Sequence, residues 1–197
     1  MLAIEIGPAM AAKLRSNLSS DRLRVEVGDF EVTEIGGGTA DAVFSATAYH
    51  WISREAQVDR PAWVLRPGGL VAIIDLIQVD SSNDRGFFTA AQPIYERYGQ
   101  GHSGPPAPIR GTVDPAIRAV LDEDSRFDSV TVHRYDWDQT CSASEYRDLM
   151  LSYSGTQMMK ESDRTGLLDD MESFIERDFG GVVTRPLVCT LTTATLT

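Results

Sequence analysis

Basic residues are scarce in this chain. Lys and Arg number 18 against 29 Asp and Glu, giving a formal net charge of −11 at pH 7, and no Lys/Arg cluster breaks the acid excess. A nonspecific hold on nucleic acid phosphates is therefore disfavoured, and the acidity reads as solubility. Cysteine is almost absent. Cys141 and Cys189 are too few for a disulfide framework and lack metal-ligand spacing, so no metal site is expected and both thiols are read as reduced. No apolar run approaches the roughly 20 residues of a membrane span. Met1 leads straight into an apolar strand, without the pattern of a signal peptide. Also missing are a G-x-G-x-x-G leading from a strand into a helix and any Gly-rich loop followed by Lys-Ser/Thr, the usual phosphate-binding patterns. These absences describe a soluble cytoplasmic protein that acts neither on nucleic acid nor at a membrane.

What is present is the pattern of an α/β domain. The length of 197 residues, with 42% hydrophobic and 24% charged residues, suits one domain with a sizeable core. Met1 to Ile6 is apolar, as expected of a strand buried on both faces. Pro8 stands where a helix should begin, and Met10, Leu14 and Leu18 recur at the spacing of a buried stripe. Leu23, Val25 and Val27 alternate with Arg24 and Glu26, the mark of a strand with one wet face. Residues 41–48 (DAVFSATA) form a nearly continuous apolar strand, expected to be internal, and 54–64 is helical. Arg66-Pro67-Gly68-Gly69 is a turn signal before the apolar strand 70–76. Strands alternating with helices at this spacing imply a parallel sheet with right-handed crossovers.

The character then changes. Residues 81–112 are rich in Ser, Gly and Pro, with a short helix expected around 93–98. A segment of this kind is usually a lid or a disordered loop. Asp114-Pro115 opens another helix, 130–137 reads as a strand, and Ser142-x-x-Glu145 is a capping-box pattern for a helix running to Tyr153. A long helix over 158–179 should close on Gly180-Gly181. Val182 to Leu196 is a final strand, with Pro186 marking a bulge or an unpaired position.

In an open parallel sheet, ligands bind outside the carboxyl ends of the strands. Glu5 and Asp29 both stand at such ends. One carboxylate can take a ribose diol and the other an adenine amino group, so the pair outlines a site for adenosine. Tyr49-His50-Trp51 follows the next strand on the same rim. Gly36-Gly37-Gly38 reads as a flexible turn or, less simply, as a phosphate cradle.

Taken together, AIEIGPAM (3–10), VGDF (27–30), ADAVFSATAYHWI (40–52), VLRPGGLVAIID (64–75) and the tail RYDW…EYRDLMLSYS…GG (134–181) resemble the class I S-adenosylmethionine-dependent methyltransferases, in the small-molecule subgroup called methyltransferase type 11. The resemblance implies a Rossmann-like three-layer sandwich with a mostly parallel sheet. It implies one methyltransferase-like domain over 1–197, with a lid or substrate-cap insertion at about 81–126. It also implies S-adenosylmethionine as cofactor and a small-molecule methyl acceptor. By the same resemblance Glu5 takes the ribose hydroxyls, with Ile6 and Met10 beside the adenine. Gly28 and Asp29 meet the adenine amino end, Phe30 lies against the ring, and Ser45 and Ala46 face the methionine part. The family's acid-x-Gly-x-Gly-x-Gly loop, with the first strand and helix around it, does not occur in residues 1–197. The resemblance thus implies an N-terminally truncated domain, whose open sheet edge could pair with a second copy as a homodimer.

Methyl transfer is an in-line displacement that requires alignment and a nucleophilic acceptor. His50 is the best-placed general base, since an unperturbed imidazole titrates near neutrality; a structural histidine, or one bonding a substrate carboxylate, fits equally. Tyr49 and Trp51 are candidates for substrate contact, followed by Tyr95, His102 and Tyr135, although Trp51 also reads as rim packing. Asp75 ends its strand as either a substrate contact or a solvent-facing acid. Three functions compete: a small-molecule methyltransferase, a non-catalytic methyltransferase-like interaction protein, and a dinucleotide oxidoreductase. The last lacks a glycine fingerprint between a strand and a helix.

Overall fold

The computed structural model describes residues 1–101 and 107–197. Its strands are β1 (Leu2–Glu5), β2 (Arg24–Val27), β3 (Ala40–Ala46), β4 (Leu65–Gln78), β5 (Phe127–Ser142) and β6 (Val182–Leu196). The α-helices are α1 (Pro8–Asn17), α2 (Ala56–Val64), α3 (Phe87–Arg97), α4 (Ala116–Asp122), α5 (Ala143–Leu151), α6 (Ser154–Met158) and α7 (Glu161–Phe179). The chain divides into two compact units. The first comprises Met1–Asp75, Asp114–His133 and Thr190–Thr197; the second comprises Leu76–Val113 and Arg134–Cys189.

In the first unit β1 and β2 pair in parallel, with Ala3 opposite Val25 and Glu5 opposite Val27. They form a two-stranded sheet by themselves, while the remaining strands make a second sheet in the order β3-β4-β6-β5. Among the described residues no ladder joins β1 to β3. Three expectations fail here for one reason. Leu2 and Ile6 are exposed, where Met1 to Ile6 should have been buried on both faces. Met10 and Leu18 are exposed and Leu14 is only half-buried, so α1 packs through Ala11 instead of the larger stripe. Strand β3, expected to be internal, is the end strand of its sheet and exposes Ala42, Phe44 and Ala46. Apolar patterning records the cover a strand is suited to, and these residues find none among the described elements.

The β3–β4 ladder is parallel, and its register slips between Ala40 opposite Leu65 and Ala42 opposite Leu70. The Arg66–Gly69 turn signal accounts for the slip. Four residues leave the ladder, with Gly68 at φ +77°, a conformation that favours glycine. The inner face of β4 buries Val71 and Ile73 in a core with Ile117, Val120 and Leu121 of α4 and Leu196 of β6.

Strands β5 and β6 run antiparallel: Thr131 meets Thr193, whereas Thr140 meets Thr184 further along. The sheet is thus mixed. In the second unit α3 is longer than the expected helix, because Gly86 in the left-handed region admits Phe87 and Ala91 to the core. Phe87 packs edge-on to Tyr146 and Phe179 at 5.1 and 5.3 Å between ring centres. Both bonds of the Ser142–Glu145 capping box form, with Glu145 N donating to Ser142 Oγ at 3.2 Å and Ser142 N to Glu145 Oε2 at 2.8 Å. The single helix expected over 158–179 is instead α6 followed by α7, which ends at Gly180 in the left-handed region. Pro186 lies inside β6, and its carbonyl accepts from Val79 N at 3.0 Å.

Candidate cofactor and acceptor site

All the candidate cofactor residues belong to the first unit. Glu5 is the last residue of β1 and is half-buried. Its Oε1 accepts from Gly7 N at 2.7 Å, so the turn into α1 holds the carboxylate while Oε2 has no partner among the described residues. A side chain at position 7 would crowd that oxygen, since a Cβ would lie 3.1 Å from Oε1. Ile6 and Met10 flank the acid, 72% and 64% exposed. Apolar side chains left open beside a fixed carboxylate suit a ligand with a flat apolar body and a polar edge.

Gly28 continues the ladder from β2, its N donating to Glu5 O at 3.1 Å. A Cβ there would stand 2.7 Å from Thr33 Oγ1 and push that hydroxyl off its bond to Asp29 O. Asp29 is exposed and heads the turn. Its Oδ1 accepts from Glu31 N at 2.8 Å and its carbonyl from Thr33 N at 2.8 Å. Each of the two acids therefore has one oxygen fixed by backbone, with the other free among the described residues. Phe30 is half-buried under Arg60 of α2, whose guanidinium sits 5.6 Å from the ring centre. Arg60 Nε donates to Phe30 O at 2.9 Å, and its Nη2 donates to Thr33 O. Nothing in the sequence pointed to Arg60; a lone arginine inside a helix carries no signal of what it reaches.

Ser45 and Ala46 end β3 opposite Ile73 and Ile74. Thr47 follows at φ +50°, uncommon for a β-branched residue, and is held there by donation from its N to Ile74 O at 2.8 Å. Tyr49, His50 and Trp51 form a 3₁₀ turn. Tyr49 is placed in the core, 2% exposed, with its hydroxyl donating to Gln57 O at 2.7 Å, and burial raises its pKa. That packing leaves Tyr49 no face to offer a substrate. His50 and Trp51 are exposed, Trp51 at 76%, with ring centres 5.0 Å apart. Burial raises the pKa of Asp75 on β4, and the charge of His50 opposes the rise, so the two groups lie within electrostatic reach. The sequence named both residues separately and did not pair them.

The glycine run 36–38 wraps against Trp63, with Gly38 N donating to Trp63 O at 2.9 Å and Trp63 Nε1 to Ile35 O at 3.1 Å. Of the lesser candidates, Tyr95 and Tyr135 belong to the second unit, and His102 lies outside the described residues. Both cysteines are free. Among the described residues no three or more His, Cys, Asp or Glu gather to hold a metal, and no helix is long and apolar enough to cross a membrane.

Residues 1–73 match the family model Methyltransf_11, described as a methyltransferase domain. Over those residues, fewer than half of the chain, the sequence is similar to a methyltransferase domain. Solved structures agree on the fold. The YcgJ protein of Bacillus subtilis is 11% identical with a TM-score of 0.56, the match covering 99% of this chain and 81% of that one. A candidate type II methyltransferase from Anaeromyxobacter dehalogenans is 16% identical at a TM-score of 0.55, covering 98% and 78%. A candidate methyltransferase from Bacillus halodurans is 15% identical at a TM-score of 0.54, covering 98% and 81%. At these identities the likeness speaks for the Rossmann-like α/β fold, here with a mixed sheet. No curated protein matches the sequence.

Proposed function

We propose that the protein transfers a methyl group from S-adenosylmethionine to a small-molecule acceptor in the cytoplasm. The observation that carries this reading is the pair of acids at the ends of β1 and β2, each with one oxygen fixed by backbone N–H and one left over, within the segment that matches the methyltransferase domain. Glu5 would hold the ribose hydroxyls, with Ile6 and Met10 against the adenine. Gly28, Asp29 and Phe30 would take the adenine's amino edge and ring, and Ser45 and Ala46 would line the methionine part. When bound, the cofactor supplies a methyl group on a sulfonium. His50 is the group that would receive the acceptor's proton as the new bond to carbon forms, and Trp51 would cover the acceptor.

Titration calorimetry of the 197-residue protein with S-adenosylmethionine tests the reading. Binding is expected, weakened roughly tenfold or more by Glu5→Ala and by Asp29→Ala, since bonds to charged groups contribute about 1.5–3 kcal/mol. No binding at millimolar cofactor, or affinity unchanged in both variants, would refute it. A second reading, a non-catalytic interaction protein that pairs as a homodimer, draws support from the edges of β1 and β3, which are unpaired among the described residues. Light scattering that finds a dimer in a chain that binds no cofactor would favour it.

A further inference from the structure

Arg185, on β6 in the second unit, is 8% exposed. Among the described residues its guanidinium makes one hydrogen bond, Nη1 donating to Gln139 Oε1 at 2.7 Å, and no carboxylate stands within ion-pair reach. A positive charge taken out of water against a single neutral acceptor is costly. Arginine cannot relieve the cost by releasing its proton. Four further N–H donors in that fork have no acceptor among the described residues, and its unbonded nitrogens are not fully buried, so the fork reaches solvent.

The surroundings are built and polar. The Tyr95 and Tyr146 hydroxyls bond to each other at 2.9 Å. Burial raises the pKa of both while the charge of Arg185 pulls both down, so the guanidinium lies within electrostatic reach of the pair. Cys141 feels the same charge. Glu145, which also acts on Cys141, does not neutralise Arg185. Its Oε2 accepts from Ser142 N and Oγ at 2.8 and 2.9 Å, and the residue is exposed. Gln139 and Tyr95 are half-buried and Tyr153 is exposed, so the cluster is not sealed from solvent. Phe88 and Ile94 pack partly buried against the same core.

We propose that Arg185, Gln139, Tyr95 and Tyr146 form a binding site for a small monoanionic carboxylate with an apolar body. The unpaired guanidinium fork matches the two oxygens of a carboxylate. One cation among neutral hydroxyls and an amide balances one negative charge; a phosphate dianion would call for a second cation, and the described residues place none in this cluster. Phe88 and Ile94 offer apolar cover to the remainder of the ligand. The site stands in the second unit alone and does not depend on the methyl-transfer reading.

Calorimetric titration of the 197-residue protein with benzoate tests the proposal, with benzamide and inorganic phosphate as controls. The side-chain Nε–Hε resonance of Arg185 is followed in parallel by NMR. Benzoate should bind one to one, at least tenfold more tightly than benzamide or phosphate, and move that resonance. Arg185→Gln should weaken benzoate binding about tenfold or more. Should that variant fail to fold, the resonance in the unaltered protein decides. Benzoate no tighter than benzamide, an unmoved resonance, or phosphate binding more tightly than benzoate would each overturn the assignment.

Discussion

Arg60 ties α2 to the turn that carries Asp29. Its guanidinium stands 5.6 Å from the centre of the Phe30 ring, and its Nε donates to the Phe30 carbonyl at 2.9 Å. The same side chain reaches Thr33 O. One residue therefore fixes the ring and both ends of a short, mostly half-buried segment. Replacing it leaves two half-buried carbonyls without their donor and the ring without its cation.

Arg60→Met is expected to lower stability by about 2 kcal/mol in a urea melt, from two bonds to a charged donor with a smaller cation–π contribution. Arg60→Lys should recover little, because a point charge cannot bond Phe30 O and Thr33 O as the fork does. If cofactor binds at Asp29, Arg60→Met should also weaken it several-fold. A melt unchanged in Arg60→Met would show that solvent replaces the arginine at no cost.

Tyr49 separates a structural tyrosine from a substrate contact. Its ring is in the core and its hydroxyl donates to Gln57 O at 2.7 Å, while Gln57 Nε2 donates back to Tyr49 O at 3.1 Å. Tyr49→Phe keeps the packing and removes one buried bond, so a loss of about 1 kcal/mol is expected. Cofactor affinity and any methyl transfer should not change. A large fall in transfer with stability retained would return Tyr49 to the site.

The structure explains why some of this was legible in the sequence and some was not. Local chemistry was readable. Pro8 begins α1, Ser142 and Glu145 cap α5, Gly180 ends α7, and residues 182–196 form one strand. The placing of Glu5 and Asp29 at strand ends was readable too, because a strand's end is a local fact. Burial was not. Met10, Leu18 and Phe44 are the right residues for a covered face, but cover is supplied by other elements, and periodicity cannot say whether they are there. Interactions made across long sequence separations were also hidden. Arg60 with Phe30, His50 with Asp75, and Arg185 with Gln139 are each joined by the fold, with nothing in the local pattern of either partner to announce it.

Thr47 carries backbone strain at the end of β3. At φ +50° a β-branched residue crowds its own carbonyl, at a cost of about 1–2 kcal/mol. Asparagine tolerates this region better, and its backbone N can still donate to Ile74 O. Thr47→Asn should raise stability by about 1 kcal/mol by thermal or urea denaturation. Strained residues gather at functional sites because the geometry is used there, so cofactor affinity in the same variant is informative. Higher stability with unchanged affinity would make the strain incidental, and lower stability would show that the threonine side chain makes up for its conformation.

Asp75 should make stability fall as pH rises. Burial raises its folded-state pKa above the ordinary 3.8, and the charge of His50 only partly opposes the shift. An acid with a raised folded value keeps its proton in the native state over a range where the unfolded chain has already released it. Its contribution is therefore fully present below pH 3.8, is lost as pH climbs through the raised value, and is level above that. Asp75→Asn removes the titration. The variant should be close to the parent in stability near pH 3.5, gain on it as pH rises through the raised value, and hold that lead at pH 7. Glutamine at position 50 removes the one group that holds Asp75 down, so His50→Gln should move the Asp75 carboxyl resonance to a still higher midpoint in an NMR titration. A stability difference that does not vary with pH would show that Asp75 is not raised in the folded state, and an Asp75 midpoint that falls or stays put in the His50 variant would show that the two groups do not interact.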